Sequence, residues 1–262
     1  MTKTLIQITD THLLDSPEEF LRGENPWYNL KAILDKVKKL QPDGLLLTGD
    51  LTDKGSKVAY EYLLKAMNEF NCPIYWLYGN HDDGNLLTKM LSPINCLGCQ
   101  SIDLGFWRLL LLDSVLVGAK FGGGYIKQTQ LDWLKEELIK YRDKPTMIAL
   151  HHHPVTTGID WVDQIGVENG DDLIHLLQLF SQVRLVLFGH IHHALHYHHV
   201  NGVGKGIDFW GCPSTFSQVS PAQPTHDSHL PGFRVINLFE NGDYSTEVQR
   251  LNFSHSLEQM SK

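Results

Sequence analysis

Seven side chains that can bind a metal ion each lie at or just beyond the end of a short apolar segment. They comprise two carboxylates, one amide and four imidazoles: Asp10, His12, Asp50, Asn80, His151, His190 and His192. This mixture of oxygen and nitrogen donors, with no thiolate, suits divalent ions such as Mn, Fe and Zn. Because one ion takes about four to six donors, the set favours a pair of ions that share a ligand.

Asp50 is the candidate for the shared ligand. A carboxylate can bridge two ions because it has two oxygens, and Gly49 before it removes a side chain that would crowd the site. Two divalent ions about 3.5–4 Å apart can clamp phosphoryl oxygens and lower the pKa of a water between them to about 7. The donor set therefore predicts a phosphoester hydrolase.

The apolar segments that precede these residues are predicted strands. The strands are expected at residues 5–9, 44–48, 74–78, 109–112, 146–150 and 184–188. Helical periodicity between them predicts helices at 28–40, 57–71, 129–141 and 173–180. Asp171 or Asp172 is the expected N-cap of the last helix. Because ligands of open α/β sheets gather where strands end, we expect the seven donors to meet at one edge of the sheet.

This alternation of strands and helices predicts an α/β fold. Further strands are expected at 209–210, 233–239 and 244–251, the last two joined by an Asn-Gly hairpin turn. No linker, repeat or low-complexity tract interrupts the sequence, so we expect a single domain over residues 1–262.

Composition narrows the range of partners. The formal net charge of −8, with no dense Lys/Arg run, argues against nucleic-acid binding. The apolar runs fall far short of the roughly 20 residues that a membrane helix needs. The first residues lack the long apolar stretch that is typical of a signal peptide. The four cysteines suit a reducing compartment. We therefore expect a cytoplasmic protein with a small-molecule substrate.

Other candidate ligands are weaker. Cys96 and Cys99 form one CxxC without a second half, which is more typical of an ordinary loop than of a zinc or redox site. The remaining histidines are interpreted as structural or surface residues. His152 and His153 could support ligands, His175 lies in a predicted helix, and His193, His196, His198 and His199 are expected on a solvated strand or hairpin.

Five blocks of sequence then resemble, in order, those of the calcineurin-like metallophosphoesterase family. They are Asp10-Thr11-His12, Gly49-Asp50, Gly79-Asn80-His81-Asp82, His151 with its two following histidines, and Gly189-His190-Ile191-His192. The likeness to the bacterial 3′,5′-cyclic-AMP phosphodiesterase subgroup covers nearly the whole chain. It includes residues 7–13, 76–82, 110–114, 150–154, 213–215, 231–234 and 246–251. The resemblance implies a four-layer αββα sandwich in which helices flank two mixed β-sheets.

The resemblance also implies a role for each site residue. Asp10, His12 and His192 would bind one metal, Asn80, His151 and His190 the other, and Asp50 would bridge them. His81 would be catalytic, stabilising the phosphate charge or protonating the leaving oxygen, with Asp82 orienting its imidazole. His12, Asn80, His81 and His192 would contact the substrate. The donor set leaves the metal open between Fe, Mn and Zn.

The implied reaction is hydrolysis of 3′,5′-cyclic AMP to 5′-AMP by a hydroxide that bridges two metals. A broader phosphodiesterase or a nucleotide pyrophosphatase of the same fold is the alternative, and the negative charge argues against a nuclease. A noncatalytic scaffold is a further alternative, although such proteins characteristically lose ligands that this chain retains. Both a monomer and a homodimer fit the sequence.

Overall fold

The computed structural model describes residues 1–91, 99–200 and 206–251, which contain eleven strands and six α-helices. The strands are β1 (Thr2–Ile8), β2 (Gly44–Thr48), β3 (Ile74–Leu77), β4 (Gln100–Asp103), β5 (Arg108–Leu111), β6 (Thr146–Ala149), β7 (Val183–Phe188), β8 (Leu195–His199), β9 (Ile207–Gly211), β10 (Gly232–Phe239) and β11 (Tyr244–Arg250). The helices are α1 (Pro26–Leu40), α2 (Lys57–Met67), α3 (Gly84–Met90), α4 (Gln128–Lys140), α5 (Asp160–Asp163) and α6 (Gly170–Leu177).

The strands form two mixed sheets. The first has the order β11-β10-β1-β2-β3, and the second has the order β4-β5-β6-β7-β9-β8. Strands β1, β2 and β3 run parallel, as do β5, β6, β7 and β9. Parallel strands need crossover connections. Helices lie in the connections from β1 to β2, β2 to β3, β5 to β6 and β6 to β7, whereas β8 lies between β7 and β9. Each parallel set therefore directs its carboxyl ends to one edge of its sheet.

Apolar side chains are buried in three layers. Leu5, Leu46, Leu109 and Leu187 lie in a core between the two sheets. The outer face of the first sheet packs on α1, α2 and α3, and the outer face of the second packs on α4 and α6. Successive residues of β2 alternate between layers, as a strand with both faces covered requires. The predicted four-layer α/β sandwich is therefore confirmed.

Helix ends follow local capping chemistry. The Asn25 side chain accepts a hydrogen bond from Tyr28 N at 2.8 Å, so α1 begins at Pro26, two residues before the predicted start. The predicted N-cap of α6 is wrong, because Asn169 occupies that position. Asp171 and Asp172 lie in the first turn instead, where negative charge stabilises the helix dipole.

Several parts of the chain differ from expectation. Strand β4 and the short helices α3 and α5 were not predicted, whereas β8 corresponds to the expected strand or hairpin around Tyr197. His193 is buried, so its expected solvated position is wrong, whereas His196 and His198 are exposed on β8. Cys96 lies outside the described residues, and the Cys99 thiol donates to Gln130 Oε1. Among the described residues, no helix is long and apolar enough to cross a membrane.

Candidate metal centre

The loops that follow five parallel strands bring the seven predicted donors together. Asp10 follows β1, Asp50 follows β2 and Asn80 follows β3, all in the first sheet. His151 follows β6 and His190 follows β7, both in the second sheet. The two sheets therefore contribute opposite walls of one cluster of donors.

One group of donors lies around Asp10. His192 Nε2 is 3.4 Å from Asp10 Oδ1 and 3.2 Å from His12 Nε2. The three side chains are buried, and one ligand atom of each lies within 4.8 Å of the others. Two imidazole nitrogens and a carboxylate oxygen at this spacing can surround one divalent ion.

A second group lies around His151. Its Nε2 atom is 3.4 Å from Asp50 Oδ2 and 3.2 Å from Asn80 Oδ1. The His190 ring centroid lies 5.0 Å from that of His151. His12 Nε2 is 3.8 Å from Asp50 Oδ2, so the Asp50 carboxylate faces both groups.

Hydrogen bonds to backbone carbonyls orient two of the imidazoles. His151 Nδ1 donates to Thr48 O at 2.7 Å, and His192 Nδ1 donates to Ser217 O at 2.8 Å. These assignments leave the Nε2 lone pair of each neutral ring facing the cluster, which is the arrangement of a metal-binding histidine. His190 Nε2 is buried without a hydrogen-bond partner among the described residues. A cation would satisfy this otherwise costly nitrogen.

The backbone at the site is unusual. Five of the seven donors have positive φ angles: Asp10 (52°), His12 (44°), Asp50 (50°), His190 (66°) and His192 (52°). Non-glycine residues seldom adopt this left-handed conformation, which costs about 1–3 kcal/mol each. The surrounding sheets hold the loops in these conformations. Such concentration of strain is typical of a functional site.

Two glycines allow the loops to approach closely. A Cβ atom on Gly79 would lie 2.2 Å from Asp50 Oδ1, and one on Gly49 would lie 2.5 Å from His151 Nδ1. Gly49 also has a φ angle of 94°. The glycines that precede Asp50 and Asn80 in the sequence are therefore required by packing against the opposite donors.

Buried charges of opposite sign compensate each other in this cluster. Burial acts to raise the pKa of Asp50, but His151 and His12 hold it well below its usual range. Burial acts to lower the pKa of His151, yet the Asp50 carboxylate raises it to about 9. The Asp50 carboxylate and the His151 imidazole thus stabilise each other's charged forms. Bound cations would take over this compensation.

His81 and Asp82 occupy different environments. The His81 backbone N–H donates to Asp50 Oδ1, and its ring Nδ1 donates to Asp53 O at 2.9 Å. The prediction that the Asp82 carboxylate orients the His81 ring is wrong. The Asp82 carboxylate instead accepts hydrogen bonds from Leu51 N, Thr52 N, Gly79 N and Tyr60 Oη. The Asp82 side chain therefore points toward the base of these loops and not toward the His81 ring.

Asp53 was missed by the sequence analysis. Its Oδ1 atom is 3.4 Å from His12 Nδ1 and 3.9 Å from His81 Nδ1. These contacts lower the pKa of Asp53, chiefly through its interaction with His12. The feature of the sequence that could have indicated this role was the position of Asp53, three residues after Asp50. Asp53 therefore orients the imidazoles at the cavity side of the site.

His152 is not free to bind a metal. Its Nδ1 atom lies 2.9 Å from Ser114 Oγ and its Nε2 atom lies 2.9 Å from Gly122 O. Both ring nitrogens are thus occupied by neighbours, although His152 lies close to His151 and His190. The sequence left open whether His152 supports a ligand; its ring contacts those of His151 and His190, but its hydrogen bonds are to Ser114 and Gly122.

A cavity of about 290 Å³ opens onto the donors. His12, Asn80, His81 and His192, the four predicted substrate contacts, all line it. The rim includes Arg22, Phe121 and Trp161, and the two aromatic side chains are 78% and 56% exposed. A larger cavity of about 880 Å³ lies beside β3 and β4 and contains none of the seven donors. The smaller cavity is the one that can hold a substrate against them.

Comparisons with known proteins agree with this geometry. The model of the calcineurin-like phosphoesterase family matches residues 3–194, a range that contains all seven donors. A 3′,5′-cyclic-nucleotide phosphodiesterase from Nostoc sp. is 35% identical, with 97% of this chain and 95% of that protein covered. The 3′,5′-cyclic adenosine monophosphate phosphodiesterase CpdA from Escherichia coli is 34% identical, with 94% of this chain and 89% of that protein covered.

Solved structures share the fold. A dimetal phosphatase from Danio rerio has a TM-score of 0.74 at 14% identity, covering 95% of this chain and 96% of that one. Purple acid phosphatase PPD1 from yellow lupin has a TM-score of 0.71 at 14% identity, covering 95% of this chain and 52% of that one. At this identity the likeness is one of fold alone. The sequence matches show the family as well as the fold: the chain belongs to the calcineurin-like phosphoesterase family.

Proposed function

We propose that this protein hydrolyses 3′,5′-cyclic AMP to 5′-AMP with two divalent metal ions bound at the Asp50 centre. The observation that carries the proposal is the position of the Asp50 carboxylate between two groups of donors. The relatives at 34–35% identity, which are named as cyclic-nucleotide phosphodiesterases, support the substrate. The proposal also includes a single domain, because both sheets supply donors to one centre.

The donor contacts support the following assignment. Asp10, His12 and His192 bind one ion, Asn80, His151 and His190 bind the other, and Asp50 is shared. The unpartnered Nε2 of buried His190 and the carbonyl-anchored Nδ1 atoms of His151 and His192 fit this arrangement. Oxygen and nitrogen donors without thiolate fit Fe, Mn or Zn. When bound, the ions would supply positive charge for the phosphoryl oxygens and lower the pKa of a water.

His81 is the proposed proton donor. Its Nδ1 is held by the Asp53 carbonyl, so Nε2 is the ring atom that can face a substrate in the cavity. In the proposed reaction, the oxygen of a water that has released one proton to solvent bonds to phosphorus, and the bond from phosphorus to the ribose 3′ oxygen breaks. Protonated His81 gives its Nε2 proton to that oxygen. The product is 5′-AMP with a free 3′ hydroxyl group.

The cavity rim supports a substrate that carries a nucleobase. Trp161 and Phe121 expose aromatic faces beside the donors, and a base can stack on such a face for about 1–3 kcal/mol. Arg22 lines the same cavity and adds positive charge that suits a phosphate. The location that suits such a nucleotide substrate is the cytoplasm, and we propose that the enzyme acts there.

A panel of phosphoesters under defined Mn²⁺ loading tests this function. We expect turnover of 3′,5′-cyclic AMP to 5′-AMP in preference to 2′,3′-cyclic AMP and p-nitrophenyl phosphate. Efficient cleavage of the monoester without cleavage of cyclic AMP would overturn the substrate assignment while leaving the metal centre intact. Metal binding without turnover of any ester, bis-p-nitrophenyl phosphate included, would instead indicate the noncatalytic scaffold.

A further inference from the structure

A second cluster of metal-binding side chains lies on the outer edge of the second sheet. His196 and His198 are two residues apart on β8, so their side chains lie on the same face of the strand. Asp208 lies opposite His198 on the neighbouring antiparallel strand β9. Asp208 Oδ1 is 2.7 Å from His196 Nε2 and 2.8 Å from His198 Nδ1. Two imidazoles thus converge on one carboxylate oxygen.

Neighbouring aromatic residues hold these groups in place. The Tyr244 hydroxyl donates to Asp208 Oδ2, and Trp210 Nε1 donates to the Tyr244 oxygen at 3.2 Å. The His196 ring stacks on Trp210 with centroids 3.8 Å apart and an interplanar angle of 6°. A carboxylate fixed through its second oxygen and an imidazole fixed by stacking are features of a preorganised metal site.

Glycine shapes the other side of the cluster. A Cβ atom on Gly206 would lie 2.6 Å from both Cε1 and Nε2 of His198, so only glycine admits this ring position. Burial acts to raise the pKa of Asp208, but hydrogen bonds from Tyr244 and His196 hold it below the usual range. The carboxylate is therefore ionised near neutral pH and can act as a ligand.

The spacing of the donors suits one ion. Donors around a tetrahedral ion with bonds of about 2.1 Å lie about 3.4 Å from one another. Replacing the two hydrogen bonds by metal bonds therefore moves these atoms by less than about 1 Å. The His196 and His198 side chains are 46% and 41% exposed, so an ion in solution can reach the nitrogens.

We propose that His196, His198 and Asp208 form a second metal site, which binds a divalent transition ion such as Zn²⁺. The site shares no residue with the Asp50 centre. Two imidazoles and one carboxylate suit Zn²⁺, Ni²⁺ or Cu²⁺ better than Mg²⁺ or Ca²⁺. With three protein ligands, the remaining coordination positions face solvent and are available to water or to a ligand from a partner.

Equilibrium dialysis of the full chain against Zn²⁺ at neutral pH tests the proposal. We expect His196→Ala and His198→Ala each to bind one Zn²⁺ fewer than the unsubstituted protein. His226→Ala is the matched control because its side chain is 97% exposed and belongs to neither cluster. Tyr244→Phe keeps all three ligands but releases Asp208 Oδ2, so we expect it to weaken Zn²⁺ binding at this site about 10–100-fold.

Ring ¹⁵N–¹H spectra of the histidines provide a readout that does not depend on counting ions. Zn²⁺ should shift the His196 and His198 resonances in the unsubstituted protein and also in Asp50→Asn, whose principal centre is impaired. Equal Zn²⁺ stoichiometry in all folded variants, or unshifted His196 and His198 resonances at saturating Zn²⁺, would overturn the proposal. The cluster would then be a network of hydrogen bonds alone.

Discussion

His81 Nδ1 lies 2.9 Å from the backbone carbonyl oxygen of Asp53. This contact holds the imidazole ring of His81, whose side chain is 41% exposed at the cavity. The Asp53 carboxylate also lies 3.9 Å from the same nitrogen. Because a backbone carbonyl accepts but cannot donate, Nδ1 must carry a proton. The pair therefore places a defined ring atom, Nε2, on the side where the substrate binds.

The proposed role of His81 predicts that His81→Ala lowers turnover of cyclic AMP by about 10²–10⁴-fold, the usual contribution of a general acid or base. The ring itself is not a proposed ligand, so the bound-metal content should stay unchanged. Steady-state kinetics and metal analysis of the same preparations check this outcome. A parallel loss of metal and activity would show that His81 acts through the metal centre instead.

We expect Asp82 to stabilise the folded protein and not to take part in the reaction. Its carboxylate accepts hydrogen bonds from three backbone N–H groups and from the Tyr60 hydroxyl. Asp82→Ala leaves these donors buried without an acceptor, so we expect the free energy of unfolding to fall by at least about 3 kcal/mol. Tyr60→Phe removes the bond to Asp82 and the bond that the Tyr60 hydroxyl accepts from Asp83 N, and it should cost about 1–3 kcal/mol.

Urea denaturation of the metal-free variants measures both changes. If Asp82→Ala kept the stability of the unsubstituted protein but lost activity, the residue would belong to the chemistry, as the sequence first suggested.

Gly49 and Gly105 form a matched pair for testing the packing of the site. Their φ angles are 94° and 85°, so alanine is strained at both positions by about 1–2 kcal/mol. A Cβ atom on Gly49 would meet His151 Nδ1, whereas one on Gly105 has nothing within 4 Å. We therefore expect Gly49→Ala to weaken Mn²⁺ binding at least about tenfold and Gly105→Ala to leave it unchanged. Isothermal titration with Mn²⁺ gives both affinities, and equal affinities would argue against the close approach of the two loops.

Trp161 provides a test of base recognition. Loss of a stacking face worth about 1–3 kcal/mol should raise KM for cyclic AMP about 5- to 160-fold in Trp161→Ala, with kcat nearly unchanged. Tyr28→Ala is the control because Tyr28 is also an aromatic residue that is 56% exposed, on α1 and outside the cavity. Unchanged KM in Trp161→Ala would remove Trp161 from the substrate site.

The sequence predicted most of the elements that carry the donors. Apolar runs that end in Asp, Asn or His mark strands buried on both faces, so β1, β2, β3, β6 and β7 were recognisable. Because these strands run parallel within each sheet, the donors that follow them were expected to lie at the same edge. The exposed strand β8 lacks the apolar pattern of a buried strand, and for that reason it was recognised only as a strand or hairpin.

Contacts between loops were harder to predict. Whether Asp53 or Asp82 reaches the His81 ring depends on how the loops after β2 and β3 fold against each other, which adjacency in sequence does not determine. Phe121 enters the cavity rim from a loop in which it adopts a φ angle of 62°. Neither periodicity nor residue type signals such a placement.

Anomalous diffraction from crystals soaked in Mn²⁺ locates the metal ions relative to Asp50. We predict two anomalous peaks, one on each side of the Asp50 carboxylate. One peak should contact Asp10, His12 and His192, and the other should contact Asn80, His151 and His190. A single peak, or two peaks of which neither contacts Asp50, would contradict a centre of two metal ions that share Asp50.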